Sequence, residues 1–274
     1  MKYKDLIYIP SCAEEWLNIE KGFASKFPRS IGAIDGKHIV VQCPDHSGSE
    51  YINYKKTFSI VLLAVVDSNY KFIFADIGCQ GRISDGGVFT NSAFWQKICS
   101  NSLNIPTSRP LPGTDVYVPY VFIGDGAFAL TQHVMKPYPG NHDWGSPKRL
   151  FNLRLARARV VVENTFGILA TRFQVFKNTI QLSPEKVSLL TMTCILLHNY
   201  LRSSKTSSCI YMPPGTLDTY DNDTLITPGS WRNEIDAACS LRDMPHIPRR
   251  APLNARQIRD EFTNYFSTLG YNYY

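Results

Sequence analysis

The chain has 274 residues, and its 29 Lys and Arg residues outnumber its 23 Asp and Glu residues to give a net charge of +6. Hydrophobic residues make up 44% of it, which supports a packed core and excludes intrinsic disorder as the main state. The longest apolar runs, at 58–66 and 189–197, are too short for a membrane-spanning helix, and no secretion signal is apparent, so we expect no membrane association.

The first predicted element is a helical lead-in over residues 1–30. Ser11 and Glu14 have the S-x-x-E spacing of a capping box, and Trp16, Ile19 and Phe23 follow at helical spacing. This segment is expected to place one apolar helix face on the core.

Strand patterns follow the lead-in. The uninterrupted apolar run 58–66 is typical of a strand buried on both faces, and 71–77 returns after a turn to form an antiparallel hairpin with it. Two further strands are predicted at 31–41, with a polar insertion at 35–38, and at 120–123. The connections are predicted as a helix at 86–98 capped by Ser84 or Asp85, and as loops at 101–114 and 138–148. The second loop is expected to be too polar to pack into the core.

The second half of the chain is predicted to be mainly helical. Residues 150–173 carry one apolar stripe at helical spacing, formed by Leu155, Val162, Phe166, Leu169 and Phe173. Residues 183–201 are apolar nearly all round and are expected to be buried, 202–230 are expected to be a polar loop, and 256–269 to be a final helix. The order of elements predicts an α/β fold, with a mixed sheet flanked by helices.

Four acidic residues occupy unusual places. Asp35 interrupts an apolar strand, Asp125 ends a buried strand, Glu163 lies beside the stripe of the long helix, and Asp85 precedes a helix. If such carboxylates converge they repel one another, and Mg²⁺ or Mn²⁺ removes that repulsion. Two such metals can clamp the attacking and leaving oxygens of a phosphodiester. The seven cysteines are scattered and form no C-x-x-C pair, so they predict reduced thiols rather than a zinc site or a disulfide framework.

Each acidic residue also has a structural interpretation. An Asp beside Gly at a strand end is commonly a turn residue, which applies to Asp35 and Asp125. Glu163 can pair with Arg159 one helical turn earlier, and Asp85 can act as a helix cap. Spacing alone leaves both interpretations open.

Five motifs in order resemble the nuclease domain of PIF/Harbinger transposases, within the DDE superfamily. They are GAIDGKHI, the pattern of Asn53, Lys55 and Ser59, then VVDSNYKFIFADIGCQGRISDGGVF, FIGDGAF, and the segment from Arg159 to Phe173. The similarity runs from about 27 to 201 and returns near 258–266. It implies an RNase H-like fold, the catalytic triad Asp35, Asp125 and Glu163, and a further metal-associated position at Asp85.

Basic residues near these acids are candidates for gripping DNA phosphates. The candidates for nucleic-acid binding are Lys37, His38, Lys55, Lys56, Arg159 and Arg172. Solvated faces or carboxylate partners are the alternative for the cations, and a satisfied strand histidine is the alternative for His38. His198 is expected to be structural and hydrogen-bonded inside the helical layer.

The sequence therefore predicts a helical lead-in at 1–30, an RNase H-like DDE nuclease domain at 31–201 and a loop-rich extension at 202–274. The function implied is a transposase-derived, Mg²⁺- or Mn²⁺-dependent DNA endonuclease, located in the nucleus with the cytoplasm as a second location. Only 34 residues precede Asp35, too few for the family's helical DNA-binding module. The chain then works without end-specific recognition, or a Myb-like or other DNA-binding partner supplies that recognition, or the chain is a truncated copy. A homo-oligomer is a further expected assembly. The alternatives are a non-catalytic chromatin scaffold and a degenerate fragment.

Overall fold

The structure is a computed structural model that describes residues 6–83, 85–221, 224–235, 238–243 and 251–268, with Asp85 and Gly86 described by their backbone alone. The strands of the described chain are β1 (Ser30–Val40), β2 (Ser59–Val66), β3 (Phe72–Gln80), β4 (Arg109–Pro110), β5 (Tyr117–Val118), β6 (Val121–Ile123), β7 (Val134–Met135), β8 (Thr219–Asp221), β9 (Thr224–Thr227) and β10 (Leu241–Asp243). Its helices are α1 (Ala13–Phe23), α2 (Asp85–Asn91), α3 (Ala93–Cys99), α4 (Pro147–Arg172), α5 (Pro184–Ser203), α6 (Lys205–Tyr211), α7 (Trp231–Glu234) and α8 (Leu253–Thr268). A 3-10 turn at Gln174–Lys177 follows α4.

The central sheet is mixed, in the order β3-β2-β1-β6-β7, with β10 also paired to β1. The β1–β2, β2–β3 and β1–β10 pairs are antiparallel, whereas β1–β6 and β6–β7 are parallel. Helices cover the sheet. This arrangement confirms the predicted α/β fold with a mixed sheet flanked by helices and is consistent with an RNase H-like fold.

Both faces of the sheet are buried, because its strands alternate between two apolar cores. In β2, Leu62 and Ala64 join the core beneath α4, α5 and α8, while Leu63 and Val65 join the core beneath α1, α2 and α3. All eight residues of β2 are buried, as the uninterrupted apolar run predicts.

The feature of the sheet that matters most is a change of partner along β1. One side of β1 pairs with β2 from Ala33 to Val40. The other side pairs with β6 as far as Ala33 and with β10 from Lys37 onward. Asp35 lies between these two partners, at a gap in the sheet.

Two local predictions in the first half of the chain are wrong. The capping box does not form, because Glu15 rather than Glu14 accepts from Ser11, through both its backbone N–H (2.7 Å) and its hydroxyl (3.2 Å). The predicted helix 86–98 is two short helices, since Ser92 interrupts it and caps α3 by accepting from the Trp95 N–H at 3.1 Å. Of its two predicted caps, Ser84 and the side chain of Asp85 lie outside the described residues.

Three later predictions also need correction. The loop 138–148 does contribute to the core, because Tyr138 is only 8% exposed and packs on Phe151. Helix α5 is not buried all round, since Leu189 is 71% exposed and Tyr200 is 53% exposed. The segment 202–230 is not simply a loop, because it forms α6 and the β8–β9 hairpin.

The described chain contains no helix with the length and hydrophobicity needed to cross a membrane. None of the seven cysteines, all of which lie within the described residues, forms a disulfide.

Candidate active site

A cleft of about 490 Å³ opens where β1 changes partner. Its walls come from β1, the turn after β6, the middle of α4, and the α7–β10 region. It is lined by Asp35, Lys37, Asp125, Arg159, Glu163, Phe166, Gly167, Ala170, Trp231, Arg232, Ile235, Cys239, Leu241 and Asp243. The structure therefore brings the three acids of the predicted triad to one cavity.

The position of Asp35 follows from strand alternation. Residues two apart on a strand share a face, so Asp35 and Lys37 lie on the α4 side of the sheet with Ala33. Asp35 is 5% exposed, and Lys37 Nζ lies 3.5 Å from its Oδ2. Lys37 also forms a hydrogen-bonded ion pair with Asp243 on β10. The buried carboxylate is thus reached from the cleft and has a cation beside it.

Asp125 reaches the same place through strand register. Parallel strands β1 and β6 pair Ala33 with Ile123, so Asp35 and Asp125 both stand two residues beyond that pair. Asp125 Oδ1 accepts from the Ala127 N–H at 2.9 Å, as in an Asx turn. The turn interpretation and the site interpretation therefore both describe this residue, which shapes its loop and lines the cleft.

Glu163 is supplied by α4, which crosses the sheet above β1. Arg159, one turn earlier, forms a hydrogen-bonded ion pair with Glu163 Oε1, and its other terminal nitrogen lies 3.9 Å from Asp35 Oδ1. Arg232 on α7 lies 3.9 Å from Glu163 Oε2 and is held by Asp218 at 2.7 Å. Three cations thus surround the acidic residues of the cleft.

The electrostatics of the cleft reflect this close packing of opposite charges. Burial disfavours the charged form of Arg159, but the charges of Asp35, Glu163 and Asp125 outweigh it and raise its pKa. Burial also opposes the charge of Lys37, whose pKa is nevertheless raised by Asp35 and Asp243. Burial favours the neutral form of Asp243, yet the charge of Lys37 lowers its pKa. Both cations therefore stay charged at neutral pH.

The donor chemistry of the cleft fits a divalent metal ion. Carboxylate oxygens are hard ligands, and the guanidinium of Arg159 among them shows that this cluster accommodates a cation. Within the described ranges, however, no three Asp, Glu, His or Cys side chains are grouped closely enough to hold an ion. Lys37, Arg159 and Arg232 lie beside these acids and balance their charge.

Four of the remaining predicted site residues lie elsewhere, and the side chain of Asp85 is outside the described residues. His38 is 1% exposed and hydrogen-bonded to Ser59 at 3.0 Å, so the strand-histidine interpretation fits its surroundings. Lys55 and Lys56 are exposed on the loop between β1 and β2, and Lys55 lies over the Tyr54 ring. Arg172 is half-buried and donates to the Tyr211 carbonyl at 2.9 Å. Neither Arg172 nor His38 lines the cleft.

One wall of the cleft is formed by residues after 201, which were not predicted to be part of the site. Trp231 donates from its ring N–H to Asn164 Oδ1 at 2.8 Å and lies directly over Gly167, where a Cβ atom would approach its ring to 2.3 Å. The signal available in the sequence was Gly167, a glycine in the middle of a long predicted helix. Such a glycine indicates that another group packs closely on the helix, but it does not identify that group. Asp243 and Arg232 carried no signal in the sequence.

Comparison with known proteins places these features in a family. The family model described as DDE superfamily endonuclease matches residues 34–199, which include all three acids of the predicted triad. A "Protein ALP1-like" of Arabidopsis thaliana is 29% identical over 181 residues, covering 65% of this chain and 44% of that protein. Proteins named "Putative nuclease HARBI1" in Rattus norvegicus and Bos taurus are 27% and 25% identical, each match covering 63% of this chain and 46% of the relative.

The matched region spans less than half the length of these relatives. No solved structure matches the chain at a significant level.

Proposed function

The chain belongs to the DDE superfamily endonuclease family, and on this premise we propose that it is a metal-dependent DNA endonuclease derived from a Harbinger-type transposase. The observation that carries the proposal is the convergence of Asp35, Asp125 and Glu163 on one cleft. These residues come from a strand, the turn of a neighbouring strand and a helix, so their meeting depends on the whole fold. The nucleus is the location that a DNA substrate implies.

Asp35, Asp125 and Glu163 are the residues that would hold Mg²⁺ or Mn²⁺, in a two-metal arrangement that we propose for this cleft and that requires their side chains to draw closer together than in this structure. When bound, such ions activate water and stabilise charge on the oxygens of the phosphodiester. Lys37 stands beside Asp35 on the cleft wall and would orient a DNA phosphate through its ammonium group. Arg232 on the opposite wall would contribute a second contact of that kind.

The decisive variant is Asp125→Asn. The amide oxygen can still accept from the Ala127 N–H, so the turn and the fold should survive while the ligand charge is lost. We expect nicking of supercoiled plasmid in Mn²⁺ or Mg²⁺ to fall by at least about 100-fold, since removal of a single group that stabilises the transition state has an effect of this order. Gel electrophoresis over a time course measures it.

Asp115→Asn is the matched control, because Asp115 is an exposed loop residue that does not line the cleft. It should nick at the rate of the unchanged chain, and a chelator should stop both. Equal nicking by the Asp125→Asn variant and the control would overturn the assignment.

A non-catalytic scaffold is the second candidate, favoured by the basic side chains that already balance the acids of the cleft. Asp35 pairs with Lys37 and Arg159, and Glu163 pairs with Arg159 and Arg232. A scaffold of this kind would use the fold to dock a DNA-binding protein. Mn²⁺ should then leave the melting temperature unchanged, whereas an ion that binds the folded state must raise it.

A further inference from the structure

Arg159 occupies the space between acids of the cleft. One end of its guanidinium is hydrogen-bonded to Glu163, and the other terminal nitrogen lies 3.9 Å from Asp35 Oδ1. Its side chain is 21% exposed, so the cation is held within the cleft rather than in bulk solvent. Its charge also interacts with that of Asp125, the third acid.

Arg159 differs in this respect from the other two cations of the cleft. Lys37 is anchored by Asp243 and Arg232 by Asp218, and neither of these acids belongs to the predicted triad. The ion pairs of Arg159 within the described part of the chain are both with triad residues. A divalent ion bound by the triad would therefore take away both partners of Arg159, whereas Lys37 would keep Asp243 and Arg232 would keep Asp218.

Arg159 and a divalent ion cannot both occupy this cluster. A metal ion needs the carboxylate oxygens that the guanidinium engages, and like charges a few ångströms apart repel each other strongly in a partly buried site. Without a metal, the same guanidinium balances acids that would otherwise repel one another, one of them nearly buried.

We propose that Arg159 is an internal counter-ion that stabilises the metal-free cleft and competes with the divalent ion for Asp35 and Glu163. This inference rests on the proposed function, since it concerns the ion which that function requires. It makes Arg159 a residue that sets the metal concentration at which the cleft fills. Metal-free protein is thereby kept folded, and metal binding is made weaker than the carboxylates alone would allow.

The test is a thermal-unfolding titration of the full chain with Mn²⁺, comparing the unchanged protein with Arg159→Gln and Arg149→Gln. Arg149 is the matched control, because it lies on the same helix, stacks on Trp144 at 4.0 Å and does not line the cleft. We expect Arg159→Gln to melt lower than the control without metal. We also expect its half-saturating Mn²⁺ concentration to be about tenfold lower, as for the loss of one charged hydrogen bond that competes with the ion.

The outcomes separate this proposal from the proposed function. Stabilisation of the unchanged protein and Arg159→Gln at the same Mn²⁺ concentration, or weaker binding by the variant, overturns the counter-ion role and leaves the metal site standing. Absence of any Mn²⁺ effect in both proteins overturns the two proposals together. If Arg159→Gln does not fold, Arg159→Lys takes its place, because an ammonium keeps the charge but lacks the fork that reaches both acids. Tighter Mn²⁺ binding by that variant supports the proposal, and unchanged binding overturns it.

Discussion

At the scale of single residues, His198 shows how a buried histidine is held neutral. It is fully buried on α5, where its Nε2–H donates to the Tyr70 carbonyl at 2.6 Å and its Nδ1 accepts from the Tyr211 hydroxyl at 2.9 Å. Both ring nitrogens are thus satisfied in the neutral form, and burial lowers its pKa to about 4. The structural role expected from the sequence is confirmed.

This neutral histidine makes the protein sensitive to mild acid. Its pKa is about 4 in the folded state and 6.5 in the unfolded state, so only the unfolded state gains a proton between these values. The contribution of His198 to the free energy of unfolding is then fully present above pH 6.5, and it is lost as the pH drops toward 4. We expect a loss of about 2 kcal/mol between pH 7 and pH 5 from His198. His38, whose pKa burial also lowers to about 4, adds to it in the same direction.

Urea unfolding at pH 7 and pH 5 measures this loss, and NMR titration of the imidazole C2 protons locates its source. A His46→Asn variant identifies the signal of an exposed histidine and should keep the acid sensitivity of the unchanged protein. A midpoint near 6.5 for the His198 signal would contradict the prediction.

Residue-scale prediction was strongest where strand periodicity decides the outcome. Lys37 and His38 are neighbours in sequence and were both candidates for DNA contact. Alternation places Lys37 on the cleft side, whereas His38 lies on the opposite face against Ser59. The sequence contained that distinction, because Asp35 and Lys37 have the same parity along the strand. The partner of Lys37 on β10, Asp243, could not be predicted, because nothing in the local sequence indicates that β10 pairs with β1.

At the scale of elements, the contact between α4 and α7 forms one wall of the cleft. Gly167 leaves the space that the Trp231 ring fills, and Asn164 accepts from that ring at 2.8 Å. The sequence predicted α4 from its apolar stripe, but periodicity shows only which face is buried. It could not show that a segment more than sixty residues later packs on Gly167.

Gly167→Ala tests this contact. A Cβ atom at this position would approach the Trp231 ring to 2.3 Å, so α7 must shift. We expect the free energy of unfolding to fall by about 1–3 kcal/mol, as for other overpacked sites, in urea unfolding followed by circular dichroism.

The same substitution in a Trp231→Ala background is the control. There the clash is absent, and replacing a mid-helix glycine by alanine should raise the stability by up to about 1 kcal/mol. If the effect of Gly167→Ala is the same in both backgrounds, the contact does not form.

Elements were predicted less well where the signal came from capping or composition. The sequence of 86–98 has a helical pattern throughout, yet the Ser92 side chain caps a second helix, α3. Such a side-chain cap competes with continuation of the first helix, so the segment forms two helices. The polar composition of 202–230 predicted a loop, but α6 and the β8–β9 hairpin form there with mostly exposed residues. The polar composition of a segment predicts that its residues are exposed, but it does not predict whether the backbone is a loop, a helix or a strand.

At the scale of the whole molecule, the chain after residue 201 is built into the nuclease fold. Strand β10 pairs with β1 next to Asp35, and helix α8 packs its Phe262 ring 4.9 Å from Phe27, which lies in the segment between α1 and β1. The domain boundary predicted at residue 201 stays a prediction. The amino-acid composition changes there, but residues on the two sides of it pack together, as Phe27 and Phe262 do. Long-range packing of this kind leaves no periodic signal in the sequence. The sequence therefore predicted the final helix but not where that helix packs.

Phe262→Ala tests whether α8 belongs to the cooperative core. Phe262 is fully buried between Phe27 and the apolar face of α4, and removing such a ring costs about 3–5 kcal/mol of unfolding free energy. We expect one cooperative urea transition, shifted to lower urea concentration by this amount and seen equally by circular dichroism and by tryptophan fluorescence, which includes the signal of buried Trp16 on the far side of the sheet. Leu253→Ala on the same helix is the control, because Leu253 is 65% exposed and its loss should change stability by less than about 0.5 kcal/mol. If Phe262→Ala instead removed helical signal while the fluorescence transition stayed in place, α8 would be an appendage, and the C-terminal wall of the cleft would need another source of rigidity.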